Sequence, residues 1–388
     1  MARIRRIQLG SQRMLWGLTF FFIGLTAFTA PRSAQRPATW RLVEEWRVGG
    51  APEGPHSFTD VRGMSVRRDG SIVVLDAKDR QLHWLDARGR PVRSVGRPGG
   101  GPGEYRTSTG LATAPSGEIT VNDPVAGRMS ILSPTGDFVR SVMVPVSSFK
   151  VYWDGQYDAA GRLFELVDVY GANSRDYTTT VRVWVAGLTR ADTLPPVHCA
   201  NAAAPGPDGT RFRVQFADGP TSVHIPFSEP RVPSARASDG SEWTGRHPDY
   251  AVIERRAPGT CDVIASIRLR GPQVAVPREE RDKAVDGMRA FLSGRGAQMP
   301  DFGRIPREFP FYDALFVDES DNVWVERTTA TDKRRFDIHA ATGALIAEAE
   351  LPVPLPRYRP VVITRDRVYV FTLDEDDVAY LVAFRIVR

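Results

Sequence analysis

The sequence predicts an all-β protein: a six-bladed β-propeller closed by its N-terminal strand and carrying one inserted amphipathic helix. Three observations predict it: an internal repeat of 47 residues, period-two hydrophobic patterning broken by Gly turns, and a last unit one strand short. The 388 residues exceed what a single hydrophobic core ordinarily fills, so the chain needs either several domains or a radially repeated architecture. Thirty-four Gly and thirty Pro, with 10% aromatic residues, suit many short strands joined by tight turns.

The repeat is read by setting residues 58–76 over residues 105–123. Gly63 then falls on Gly110, Gly70 on Gly117, Ile72 on Ile119, Val74 on Val121 and Asp76 on Asp123. The same offset continues through Leu85 on Leu132, Gly89 on Gly136, and the string VRSV at 92–95 on VRSV at 139–142. A period near 40 to 50 residues with several strands per unit is the mark of a propeller blade. Within the first unit, residues 63–66 form strand a, Asp69 and Gly70 the tight turn, and residues 71–75 strand b. Residues 81–86 then form strand c and residues 91–96 strand d, giving four antiparallel strands to a blade.

Later units are weaker. The third spans 152–195, with its turn at 158–161; the fourth spans 211–269; the fifth spans 309–351. The last, from Arg359 to Arg388, holds only three strands, and residues 40–48 (WRLVEEWRV) supply the fourth, because an unpaired sheet edge is costly. Between the fourth and fifth units, residues 277–294 switch to helical period. Ala284, Val285, Met288, Phe291 and Leu292 share one face, acids occupy the first turn, and Gly294 is the stop. This helix is expected to pack as a cap on the propeller.

The formal charge of +5 has a local origin. Arg3, Arg5, Arg6, Arg13 and Arg32 account for all of it, and residues 1–34 contain no acid. The body is therefore neutral and lacks the basic face expected of a nucleic-acid binder. Residues 1–13 read as the basic region of an export signal and residues 14–30 as its apolar run. That run is a signal peptide removed on export or an anchor left in the inner membrane; neither 27–29 nor 28–30 is a full small-x-small cleavage site. Charge on its N-terminal side leaves the body in the periplasm or otherwise outside the cytoplasm. The expected organisation is thus a targeting segment at 1–34, a linker at 35–39 and the propeller at 40–388. Cys199 and Cys261, the only cysteines, are a candidate disulfide in that compartment; the alternative is two separate thiols.

The Gly-rich string GRPGGGPGEY at 96–105, followed by a strand, a Gly turn and I-x-V-x-D, resembles the bacterial exported six-bladed propellers related to NHL repeats. Residues 49–58 are a second, poorer copy. The resemblance implies architecture and little chemistry.

In such a blade the loops from d to the next a, and from b to c, emerge on one face, where binding residues are expected. Leading into the a strands on that face are His56, Asp60, Arg62, Glu104, Tyr152, Trp153, Tyr312, Asp313 and Arg359, an aromatic wall with a few charges. Phe58 and Tyr105 recur at one repeat position and are expected in the blade core. The Gly-rich loops lack the pattern of a phosphate cradle and are read as blade crossings. Asp76, Asp123, Asp168 and Asp374, expected at b-strand ends, have two readings. Each caps its own hairpin, or they ring Ca²⁺ as in calcium-dependent lactonases built on six blades, although ring positions do not imply the 6 to 8 converging donors that Ca²⁺ requires. No histidine pair has metal-ligand spacing and no nucleophile elbow is present. The leading expectation is a non-catalytic monomer without cofactor that binds a small molecule, glycan or envelope protein and meets the membrane only through its N-terminal segment. The alternative is a metal-dependent, lactonase-like hydrolase or lyase on the same face.

Overall fold

Each hairpin begins with local chemistry. Gly70 and Gly117 adopt φ of 80° and 87°, which a Cβ disfavours, and so close the a–b turns of the first two blades. The Asp69 carboxylate accepts the Ser71 amide at 2.9 Å and stiffens the first of these turns. The computed structural model describes residues 36–51, 53, 56–144, 152–170, 177–185, 187–193, 207–217, 219–331, 334–356 and 359–388.

Among the described residues, six four-stranded antiparallel units follow one another. Blade 1 is Val61–Val66, Ile72–Asp76, Gln81–Leu85 and Pro91–Val95. Blade 2 is Gly110–Thr113, Ile119–Asp123, Arg128–Leu132 and Phe138–Met143. Blade 3 is Gln156–Tyr157, Leu163–Tyr170, Tyr177–Val185 and Arg190–Thr193. Blade 4 is Ser234–Arg236, Glu242–Gly245, Val252–Arg256 and Val263–Arg268. Blade 5 is Tyr312–Val317, Val323–Arg327, Arg334–His339 and Leu345–Leu351. Blade 6 takes Val361–Ile363, Arg367–Leu373 and Ala379–Val387 from the C-terminus, and the N-terminal strand Ala38–Gly49 as its fourth member.

That strand does more than fill the vacancy. While Arg41 to Gly49 pair antiparallel with the C-terminal strand, Ala38 to Arg41 run parallel to Ala347–Glu350 at the outer edge of blade 5. One segment therefore covers two edges and joins two blades into an eight-stranded sheet. A bulge between Glu44 and Trp46 turns Glu45 outward, where its carboxylate meets Arg367 at 2.7 Å and Arg385 at 3.4 Å.

Apolar side chains pack between blades rather than around one centre, which is how a chain of this length forms a single propeller. Val61, Ile72 and Leu85 of blade 1 meet Phe371 and Leu381 of blade 6. Leu75 and Trp84 of blade 1 meet Leu111 and Ile119 of blade 2, and Trp324 of blade 5 meets Trp40 and Phe384 of blade 6. Phe58 and Tyr105 are both buried in these seams. The repeated glycines of strand a have their reason here. A Cβ on Gly63 would lie 2.8 Å from Leu111 Cγ and 2.9 Å from its amide nitrogen, and one on Gly110 would lie 2.8 Å from the Trp153 carbonyl.

Two readings of the sequence need correction. Residues 211–224, expected inside the fourth blade, form a separate hairpin, Arg211–Phe216 with Gly219–His224, inserted before it. The helix, Arg278–Ser293, packs its Val285, Met288 and Leu292 on that hairpin's Phe212 and Val214, with Ile225 and Ile305, so the two insertions make a satellite core of their own. Phe291, expected on the packed face, is 44% exposed, with Arg295 stacked on its ring. Sequence periodicity marks an apolar arc, but the partner's width decides how much of it is covered.

Acid is expected to weaken the propeller well above the carboxylate range. Burial holds the imidazoles of His83 and His339 below the ordinary value of 6.5. The folded state therefore resists protons that the unfolded chain accepts, and this stability, complete above pH 6.5, declines as pH falls from there toward the folded values. Each unit of depression is worth about 1.4 kcal/mol. Glu326, raised by burial, acts in the opposite sense above its ordinary 4.5. The histidine contribution is read by difference: in urea unfolding between pH 7.5 and 5, His83→Ser, the residue that blade 2 carries at the matching position 130, gives a flatter slope than the parent. Equal slopes would contradict it.

Candidate functional site

The face bearing the lead-ins to strand a is organised by the aspartates at the ends of strand b. Asp76, fully buried, accepts the amide of Thr59 at 2.7 Å and that of Asp60 at 3.2 Å, and also the amide of Lys78 at 3.0 Å. Asp123 takes the amides of Arg106, Thr107 and Ala126 at 2.6, 3.1 and 3.0 Å. Each carboxylate thus ties the incoming chain to its own b–c turn. Asp374 caps its turn through the amides of Asp376 and Val378. Asp168 does not end its strand, which runs on to Tyr170. Among the described residues no group of three or more His, Cys, Asp or Glu side chains is placed to hold a metal ion.

With the lead-in clamped, strand a of blade 1 opens on a bulge. Val61 pairs with Asp76 and Gly63 with Leu75, so Arg62 is the extra residue. Its guanidinium takes both oxygens of Asp60, Nε at 2.6 Å and Nη2 at 2.8 Å, and lies over the Tyr152 ring at 4.4 Å. The Asp60 bond holds the guanidinium pKa above its ordinary value. Tyr152 leads into blade 3, and the amide of the next residue, Trp153, donates to the Thr109 carbonyl at 2.9 Å, so this lead-in lies against the start of strand a of blade 2, within reach of blade 1. From blade 6, Arg359 donates to the carbonyls of Thr59 at 3.1 Å and Val61 at 3.5 Å. Asp60, Arg62, Tyr152 and Arg359 are therefore brought together.

Asp313 occupies the same bulge in blade 5, between Tyr312 paired with Arg327 and Ala314 paired with Glu326. It belongs to a separate network. Arg231, 8% exposed, donates to Asp313 at 3.0 Å and to Glu326 at 2.6 Å, and Arg334 donates to Glu326 at 2.8 Å. Burial raises the pKa of Glu326 against the pull of both guanidiniums. Arg231, Glu326 and Arg334 were not anticipated. The available signal was Glu326 itself, a carboxylate in strand b where the first two blades carry Leu75 and Asn122.

The remaining expected residues lie elsewhere. Tyr312 is fully buried, its hydroxyl donates to the Pro233 carbonyl at 2.7 Å, and burial raises its pKa. It is a core residue. His56 sits against Phe58 with its ring nitrogen on the Gly89 carbonyl at 2.9 Å, in the c–d turn at the other end of the blade. Trp153 packs along blade 3 and donates to Glu165 at 2.7 Å; the same carboxylate accepts the Trp184 indole at 2.7 Å. Glu104 folds back into its own Gly-rich loop, accepting the Gly101 amide at 2.8 Å and Arg97 Nε at 2.9 Å, and these donors lower its pKa. The loop's carbonyls at 100, 101 and 104 face Arg128. An internal carboxylate fills the place where a phosphate would need those amides, which supports reading this loop as a crossing. Cys261 is disulfide-bonded; Cys199, the only other cysteine, lies outside the described residues.

The mouth thus offers guanidinium donors, a carboxylate and one aromatic ring. It suits hydrogen-bonded or ionic recognition.

No family model matches the chain, and no curated protein matches it in sequence. Solved structures do match in fold. A DUF4221 family member from Bacteroides vulgatus aligns with a TM-score of 0.51 at 10% identity, over 91% of this chain and 100% of that one. A Bacteroides fragilis protein described as exported gives 0.49 at 11% identity, over 90% and 96%. Virginiamycin B lyase from Staphylococcus aureus gives 0.44 at 10%, over 90% and 100%. At such identities the likeness concerns the fold alone.

Proposed function

We propose that this chain is an exported propeller of the cell envelope, of the NHL-like kind, that binds a small molecule, glycan or envelope protein at the channel mouth without transforming it. The convergence of Asp60 and Arg62 from blade 1, Tyr152 from the blade 3 lead-in and Arg359 from blade 6 carries the reading, because residues far apart in sequence meet at one end of the channel. Export rests on the basic segment 1–13 and apolar run 14–30, which lie outside the described residues; among the described residues no helix is long and apolar enough to cross a membrane.

A thermal-shift screen of the full chain against soluble glycans, peptides and small anions tests the reading. Compounds that raise the melting temperature of the parent are expected to lose their effect in Arg62→Ala. That variant itself should cost only about 1 kcal/mol, as for a partly exposed ion pair. Effects that persist in Arg62→Ala and vanish in Val139→Lys, on the outer strand of blade 2, would move the site to the rim. Stoichiometric Ca²⁺ or Zn²⁺ in the purified chain would replace this reading with the metal-dependent hydrolase or lyase.

A further inference from the structure

We infer that Glu165, on strand b of blade 3, is a positioning residue for the mouth: acting through Trp153, it fixes the lead-in that brings Tyr152 onto Arg62. Its bearing on ligand capture rests on the mouth being the binding site. The a–b turns align the blades. Val66 pairs with Ile72 in blade 1, Thr113 with Ile119 in blade 2 and Tyr157 with Leu163 in blade 3. In that alignment Glu165 stands where blades 1 and 2 carry Val74 and Val121, both fully buried in apolar seams. Val167 stands where Asp76 and Asp123 tie their lead-ins to strand b. Blade 3 therefore carries a carboxylate where the repeat is apolar and an apolar residue where the repeat has its clamp.

The displaced carboxylate does the clamping from its new position. Glu165, 6% exposed, accepts the Trp153 indole at 2.7 Å on one oxygen, and on the other the Trp184 indole at 2.7 Å and Arg182 at 3.4 Å. A carboxylate in an apolar seam is costly unless its oxygens are met, and here both are. The Trp153 ring lies across Gly155, where a Cβ would collide with the indole. On the backbone, the Trp153 amide is held by the Thr109 carbonyl, and the Asp154 carboxylate accepts the Leu166 amide at 3.2 Å. Fixing residues 153 to 155 in this way fixes the chain that carries Tyr152, whose ring meets the Arg62 guanidinium at 4.4 Å. A cation–π contact depends on where the ring stands, and a mouth already ordered loses less freedom when it takes up a ligand.

The contact can be read without a ligand, which separates this inference from the role of the mouth in binding. In the full chain labelled with ¹⁵N-arginine, the Nε–H proton of Arg62, assigned by its loss in Arg62→Lys, is expected upfield of its position in Tyr152→Leu, because the guanidinium lies over the ring. Most of that displacement should be lost in Trp153→Phe, and also in Glu165→Gln, which replaces one of the two acceptor oxygens by a donor. Trp184→Phe removes the other indole N–H from the same carboxylate and weakens the same seam, yet should leave the Arg62 signal in place. If Glu165→Gln fails to fold, Glu165→Asp, which keeps the charge and shortens the reach, takes its place. A folded Glu165→Gln protein with the parent's Arg62 signal would overturn the inference, as would a Trp184→Phe protein whose signal moves as far as that of Trp153→Phe. An Arg62 signal common to the parent and Tyr152→Leu would overturn it at once. The expected shifts, found together with a ligand screen that places no compound at the mouth, would uphold the positioning role and remove only the binding reading.

Discussion

Gly63→Val and Gly110→Val are each expected to destabilise the propeller by at least about 3 kcal/mol, read as a lowered melting temperature in calorimetry. The two positions lie where innermost strands approach across a seam. A Cβ at Gly63 meets a backbone nitrogen at 2.9 Å, and one at Gly110 meets a backbone oxygen at 2.8 Å, so relief requires moving a strand rather than turning a side chain. Gly287, inside the inserted helix, is the control: its Cβ would meet nothing within 4 Å. Gly287→Ala should therefore stabilise, by roughly 0.5 to 1 kcal/mol, through helix propensity alone. A Gly63→Val protein that melts with the parent would show that the blades are not packed this closely.

Removing the ring closure should have an effect of similar size. Trp40 is buried with its ring 5.9 Å from Trp324, and Arg388 lies over it at 4.7 Å. Truncating it to alanine leaves a cavity between blades 5 and 6 and is expected to cost about 3 to 5 kcal/mol. Deleting residues 37–49 goes further, because it unpairs the C-terminal strand and the outer edge of blade 5 together. Exposed edges recruit other strands, so the truncated chain is expected to elute as soluble aggregate in size exclusion with light scattering. A monomeric, fully folded truncation would show that closure by this strand is dispensable.

How far the fold could be read in advance varied along the chain. Blades 1 and 2 stood out because Gly63, Gly70 and Asp76 recur 47 residues on, and each recurrence has a local cause: a seam, a turn, a clamp. Blade 4 did not, because the inserted hairpin at 211–224 has the same period-two pattern as a blade strand, and alternation alone does not say which sheet a strand joins. The helix was clear from its period, yet its partner was not, and Phe291 remained outside the packed face.

The candidate site divides along the same line. That polar and aromatic residues gather before each strand a follows from the repeat, and this placed Asp60, Arg62, Tyr152 and Arg359 on one list with His56, Glu104 and Tyr312. Only the closed ring separated them. Arg62 meets Tyr152 because the blade 3 lead-in docks against strand a of blade 2, whereas the Tyr312 hydroxyl is taken up by the Pro233 carbonyl and Glu104 is held by its own loop. Strand period, turn glycines and strand-end aspartates act over a few residues and are written in local sequence. Which groups meet at the candidate site depends on contacts some 300 residues apart in sequence, such as that of the Arg359 guanidinium with the Thr59 carbonyl, and is settled by packing.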